Sequence, residues 1–196
     1  MGRTAPATSR PDWDQLYEIA ASQQGFITTA QAGAAGYSSQ LLNHYLRKGR
    51  ISRVARGVYR LVHFPPGENE HLVIVWLWSE QQGVFGHETA LALHELSDAL
   101  PGDIHLTLPE SWAKRRLRFP RGVVPGYARI LKRDRAWVGS VPVTRPVRTL
   151  HDCVDAQVAP DLIRQAIEQG LGRGLFARQE IVRATRYVRS FGRRKR

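Results

Sequence analysis

Residues 38–61, SSQLLNHYLRKGRISRVARGVYRL, fit one local arrangement, a short helix followed at once by a basic hairpin. Leu41, Leu42, Tyr45 and Leu46 recur at helical spacing and form one apolar face. The opposite face carries Ser39, Gln40, Asn43, His44 and Arg47, which are short or planar hydrogen-bonding side chains of the kind that read base edges and phosphates in a major groove. Two β-prone runs follow, residues 51–54 and 58–61, turning at Ala55-Arg56-Gly57. Gly57 supplies the positive φ that a tight hairpin needs. No acidic residue occurs between Glu18 and Glu68, whereas Arg47, Lys48, Arg50, Arg53, Arg56 and Arg60 all lie in that gap. A polyanion approaching this segment meets no carboxylate from it. The pattern is that of a winged helix-turn-helix and implies DNA binding.

The residues upstream complete the arrangement. Asp12 is placed to cap a first helix with Trp13, Leu16, Ile19 and Ala20 on one face, ending near Gly25. Thr28 or Thr29 caps a second helix over residues 29–35, Gly36 turns the chain, and Ser38 or Ser39 caps the third. Helix, helix, turn, helix, hairpin is the winged-helix order. Phe64-Pro65-Pro66-Gly67 interrupts it, which places the DNA-binding domain at residues 12–66 after a flexible leader, residues 1–11.

Helices are expected over residues 68–82, 87–96, from 146 onward, 161–169 and 178–188. Strands are expected at residues 84–85, 104–108, 127–131 and 141–143, giving a small mixed α/β domain over residues 67–190 and a basic tail, 191–196. The fold class is therefore α/β (α+β), a winged helix-turn-helix followed by a small mixed domain.

The net charge of +12 is unevenly spread. Residues 1–66 hold 8 basic and 3 acidic residues, residues 67–149 hold 11 and 9, and residues 150–196 hold 10 and 5. Concentration at the two ends argues for a basic footprint rather than a uniformly cationic protein. The sequence shows no long apolar span and no lipid-inserting amphipathic helix, so no membrane partner is expected. Cys153 is the only cysteine, which excludes an internal disulfide and a cysteine-based zinc cluster. With no secretory signal at the N-terminus, the expected location is the cytoplasm.

Within the DNA-binding reading, Asn43 and Arg47 are assigned as base readers, with Gln40 and His44 beside them. Ser38, Ser39 and Lys48 sit nearer phosphate, and Arg53 and Arg56 at the wing reach adjacent phosphates or the minor groove. Tyr45 is assigned to the core. Lys114, Arg115, Arg116 and Arg118 form a basic loop between two predicted strands, a secondary contact for DNA or an acidic partner surface.

Enzymatic readings fare less well. His87 and His94 are seven apart and do not make the HExxH spacing of zincins, and His151 and Cys153 do not share a helical face. No metal and no cofactor is expected. Asp103, Glu110 and Lys114 contain the residue types of a magnesium nuclease, but Glu110 and Lys114 are four apart rather than two, and Pro109 interrupts the strand. No nucleophile elbow or phosphate-cradling glycine loop is present. The expectation is a protein without catalytic residues.

The blocks GFITTAQA–GYSSQLLNHYLRKGRISRVARGVYRL and HETALALHELSDALPGDIHLTLPES, followed by VPVTRPVRTLHDC, resemble the antitoxins of the abortive-infection AbiEi type, over residues 12–185. That resemblance implies a winged helix that binds inverted repeats upstream of its own operon and represses it. It also implies a C-terminal domain that neutralises a nucleotidyltransferase-like toxin. The protein would occupy its double-stranded site as a monomer or dimer. Some similar proteins continue into a nuclease-like domain, for which the residues beyond Cys153 are expected to be too few. The competing readings are a toxin-binding protein with secondary DNA binding and, behind it, the magnesium nuclease.

Overall fold

The computed structural model describes residues 10–192, so the basic tail Arg193–Arg196 and all but the end of the leader lie outside the described residues. The chain divides into two compact units, residues 1–81 and 82–196.

The first unit begins with α1 (Trp13–Ser22), capped by Asp12, whose carboxylate accepts from the Gln15 N–H at 2.9 Å. A three-residue strand, β1 (Phe26–Thr28), follows and leads into α2 (Thr29–Ala34). Thr28 and Gln31 form a reciprocal capping box at the start of α2. The third helix, α3 (Ser39–Arg47), precedes the hairpin of β2 (Ile51–Ala55) and β3 (Val58–Leu61). The sheet order is β1-β3-β2, antiparallel throughout. Leu16, Ala20, Ile27, Leu42, Ile51 and Leu61 lie buried in one apolar core, which closes α1, α2 and α3 onto the sheet.

This unit extends past the sequence-based boundary at residue 66. Helix α4 (Glu70–Trp78) belongs to it and contacts all three strands. Arg60 of β3 explains the attachment, since its Nη2 donates to Glu70 Oε1 at 2.9 Å and to the Phe64 carbonyl at 3.1 Å. The Pro-Pro-Gly break is thus a turn inside the unit.

The second unit carries β4 (Val84–Phe85), α5 (His87–Leu93), β5 (Ile104–Leu108), β6 (Val123–Tyr127), β7 (Arg135–Val138) and β8 (Val141–Thr144). Helices α6 (Pro146–Asp155), α7 (Pro160–Gly172) and α8 (Val182–Gly192) complete it. Its mixed sheet has the order β6-β5-β4-β8-β7. Strands β5 and β6 are parallel, as are β4 and β8, while β4–β5 and β7–β8 are antiparallel. Leu91, Leu96, Leu150, Cys153, Ile163 and Ile181 are buried together beneath the helices. Gly170 lets α7 approach Phe176, whose ring would lie 2.1 Å from a Cβ at that position.

Some element boundaries differ from the sequence reading. The strand expected at 127–131 is Val123–Tyr127, in register with Ile104–Leu108. After Ala128 donates to the Leu108 carbonyl, Pro109 ends the partner strand and leaves no N–H to pair with. Helix α5 stops at Leu93 because Glu95 takes the left-handed conformation (φ +53°). The Glu95 and Leu96 N–H groups then donate to Ala92 and Leu91, a Schellman closure. No helix among the described residues is long and apolar enough to cross a membrane.

Candidate nucleic-acid interface

Ser38 opens α3 with its hydroxyl accepting from the Leu41 N–H at 3.2 Å. Leu42 is buried, and Leu41, Tyr45 and Leu46 pack partly into the core, as their spacing requires. The other face is left to solvent, with Ser38, Ser39, Gln40, Asn43, His44, Arg47 and Lys48 all exposed. Gln40, Asn43, His44 and Arg47 stand three, four and seven residues apart and therefore share one stripe.

The helix is held by an aromatic cluster that hydrophobic patterning does not disclose. The Tyr45 ring stacks on Trp13 of α1 with centroids 6.2 Å apart and 21° between planes, and tilts against Tyr37 at 5.8 Å. His44 meets it edge-on at 5.9 Å, and Arg50 lies 5.7 Å from its centroid. The assignment of Tyr45 to packing agrees with this geometry. Aromatic pairs contribute roughly 0.5–1.5 kcal/mol beyond area burial, so the cluster stiffens the base of the exposed stripe.

At its C-terminus α3 turns sharply into β2. Gly49 is left-handed (φ +68°), and the Gly49 and Arg50 N–H groups donate to the Leu46 and Tyr45 carbonyls. The hairpin then turns at Arg56-Gly57, with Gly57 at φ +75° and a register shift between Arg53 and Ala55. Arg53 and Arg56 are exposed. The turn is tied to α2, because Thr29 donates to the Gly57 carbonyl from its N–H at 2.9 Å and from Oγ1 at 3.3 Å. Sequence reasoning treated Thr29 only as an alternative cap, and nothing local in the sequence marks it as the anchor of the wing.

Helix α3 and the hairpin contribute no carboxylate to this surface. Among the described residues, Arg47, Lys48, Arg53 and Arg56 have no ion-pair partner. Arg60 differs, since Glu70, outside the acid-free segment, neutralises it. In the second unit Lys114, Arg115, Arg116 and Arg118 are exposed after a 3-10 turn, Glu110–Trp112, and Arg115 lies 4.1 Å over the Trp112 ring.

His87 and His94, paired by spacing in the sequence, have separate partners. His94 Nε2 donates to the Thr144 carbonyl at 2.8 Å, while His87 lies tilted at 34° against His105 with centroids 5.2 Å apart. Among the described residues no three His, Cys, Asp or Glu side chains are grouped to hold a metal ion. Cys153 is buried, and burial pushes its thiol far up from the ordinary value.

Residues 14–62, which span this surface and the helices beneath it, match the model of a family described as transcriptional regulator, AbiEi antitoxin. That segment of the first unit is similar to the AbiEi antitoxin regulators. Helix α3 and the β2–β3 hairpin both lie inside the matched segment. No curated protein matches the chain. The crystal structure of the RV2827C protein from Mycobacterium tuberculosis aligns with 95% of this chain and 80% of that one, at 16% identity and a TM-score of 0.44.

Proposed function

We propose that the protein is a sequence-specific transcriptional repressor and the autoregulating antitoxin of a toxin–antitoxin operon whose toxin is nucleotidyltransferase-like. The observation that carries the DNA-binding half is the exposed stripe of α3, continuous in sequence with an unpaired basic wing, inside the segment that matches the AbiEi regulators. An α-helix about 10–12 Å across suits a major groove about 12 Å wide. In this reading Asn43 and Arg47 contact base edges, with Gln40 and His44 beside them. Ser38, Ser39 and Lys48 hold phosphates, and Arg53 and Arg56 clamp the neighbouring backbone or minor groove.

Two copies on an inverted repeat upstream of the operon would set half-site spacing by the DNA helical repeat. The chain contributes no catalytic residue in this reading, and the second unit supplies the toxin-directed function. The test is a reporter driven by the region upstream of the protein's own gene, together with co-expression of the neighbouring gene product. Repression that Asn43→Ala relieves, with co-purification of the two products, supports the reading. Unchanged reporter output removes the repressor half, and separate elution of the two proteins removes the antitoxin half.

A further inference from the structure

The second unit contains a cleft of about 360 Å³ unrelated to the winged helix. Its walls include Thr107 on β5, Glu110 and Ser111 of the following 3-10 turn, Arg129 in the segment after β6, and Arg135 at the head of β7. The volume is that of a small-molecule site.

Arg135 is the anomaly. It is partly buried, its Nε is shut off from solvent with no hydrogen-bond acceptor, and its guanidinium lies 5.6 Å from the Trp137 ring centroid. Among the described residues no carboxylate stands within ion-pair distance of it. Burial alone displaces its pKa, downward, and the adjacent Asp134 faces Arg148 instead. A guanidinium stays charged in proteins, and a desolvated charge without a counter-charge is costly. The cleft it lines holds a second guanidinium, the exposed Arg129, and two hydroxyls, Thr107 and Ser111. Glu110 is on the same wall, so the cleft suits one anionic group with a hydrogen-bond donor beside it and disfavours an extended polyanion.

We propose that this cleft binds a small oxyanion-bearing ligand, a phosphate or a carboxylate, through Arg135 and Arg129 with Thr107 and Ser111 as neutral donors. Planar guanidinium groups match both anions bidentately.

Calorimetric titration of the full chain with inorganic phosphate, and separately with acetate, at ionic strength matched with sodium chloride, tests this. Saturable uptake of at least one anion is expected at one site, weakened at least tenfold by Arg135→Gln and unchanged by substitution of the exposed Arg178, Arg178→Gln. Which anion is taken assigns the ligand class. Circular dichroism checks the fold of Arg135→Gln, and if that variant unfolds, the exposed Arg129→Gln supplies the comparison with the same expected loss. No saturable uptake of either anion, or equal uptake by wild type and the folded variant, overturns the proposal.

Discussion

Thr29 gives both of its donors to one acceptor, the carbonyl of Gly57 at the tip of the wing. The wing is thereby fixed to the start of α2, twenty-eight residues earlier in the chain. Gly57→Ala forces a Cβ into the left-handed region, at a cost of about 1–2 kcal/mol. A urea denaturation midpoint should fall accordingly, and DNA affinity should drop for all sequences alike, because a displaced wing loses backbone contacts rather than base contacts.

Truncation of the recognition stripe should separate two effects. Arg47→Ala or Asn43→Ala is expected to cost about 1–3 kcal/mol and to relax preference at one base position. Arg56→Ala is expected to weaken binding to every sequence and to flatten the slope of log affinity against log salt by about one unit. Binding-site selection on the variants, followed by salt titration, distinguishes the two.

Gln23 organises the interior of the first unit. Its Oε1 accepts from Gln31 and Gln81, both at 2.8 Å, while its Nε2 donates to the Phe26 carbonyl at 3.0 Å. It is only 3% exposed. Gln23→Leu strands those partners and should cost about 1–3 kcal/mol in urea unfolding followed by circular dichroism.

Two histidines should make the second unit sensitive to acid. Burial lowers His94 and His87 below the ordinary value of 6.5. Both therefore take up protons more readily in the unfolded chain. Their contribution to stability is intact above that value and falls as the pH drops through it towards the lowered folded pKa. Denaturation midpoints of the full chain should decline from pH 7.5 to 5.5, and His94→Gln, which removes the titrating ring, should reduce the decline.

What the sequence disclosed depended on how local each determinant is. Thr28 and Ser38 announced their helices because a cap acts within three residues. Gly57 announced the hairpin for the same reason. Strand β1 went unread because three residues carry no periodicity and it exists only by pairing with β3. Strand β7 does carry a local signal, since Gly139-Ser140 between Val138 and Val141 is a two-residue hairpin turn. The exposed stripe of α3 was legible as the complement of an apolar face. The Tyr45–Trp13 stack and the cleft around Arg135 were not, because each assembles residues from separate elements.

The most direct test is a gel-shift titration of the wild type and Arg47→Ala on DNA from upstream of the protein's own gene, with unrelated DNA as competitor and salt varied. The expected result is wild-type binding that resists competitor and a variant that loses that resistance while keeping its salt-dependent, non-specific binding. Binding that unrelated DNA competes away equally for both proteins would contradict the assignment of α3 as a sequence reader.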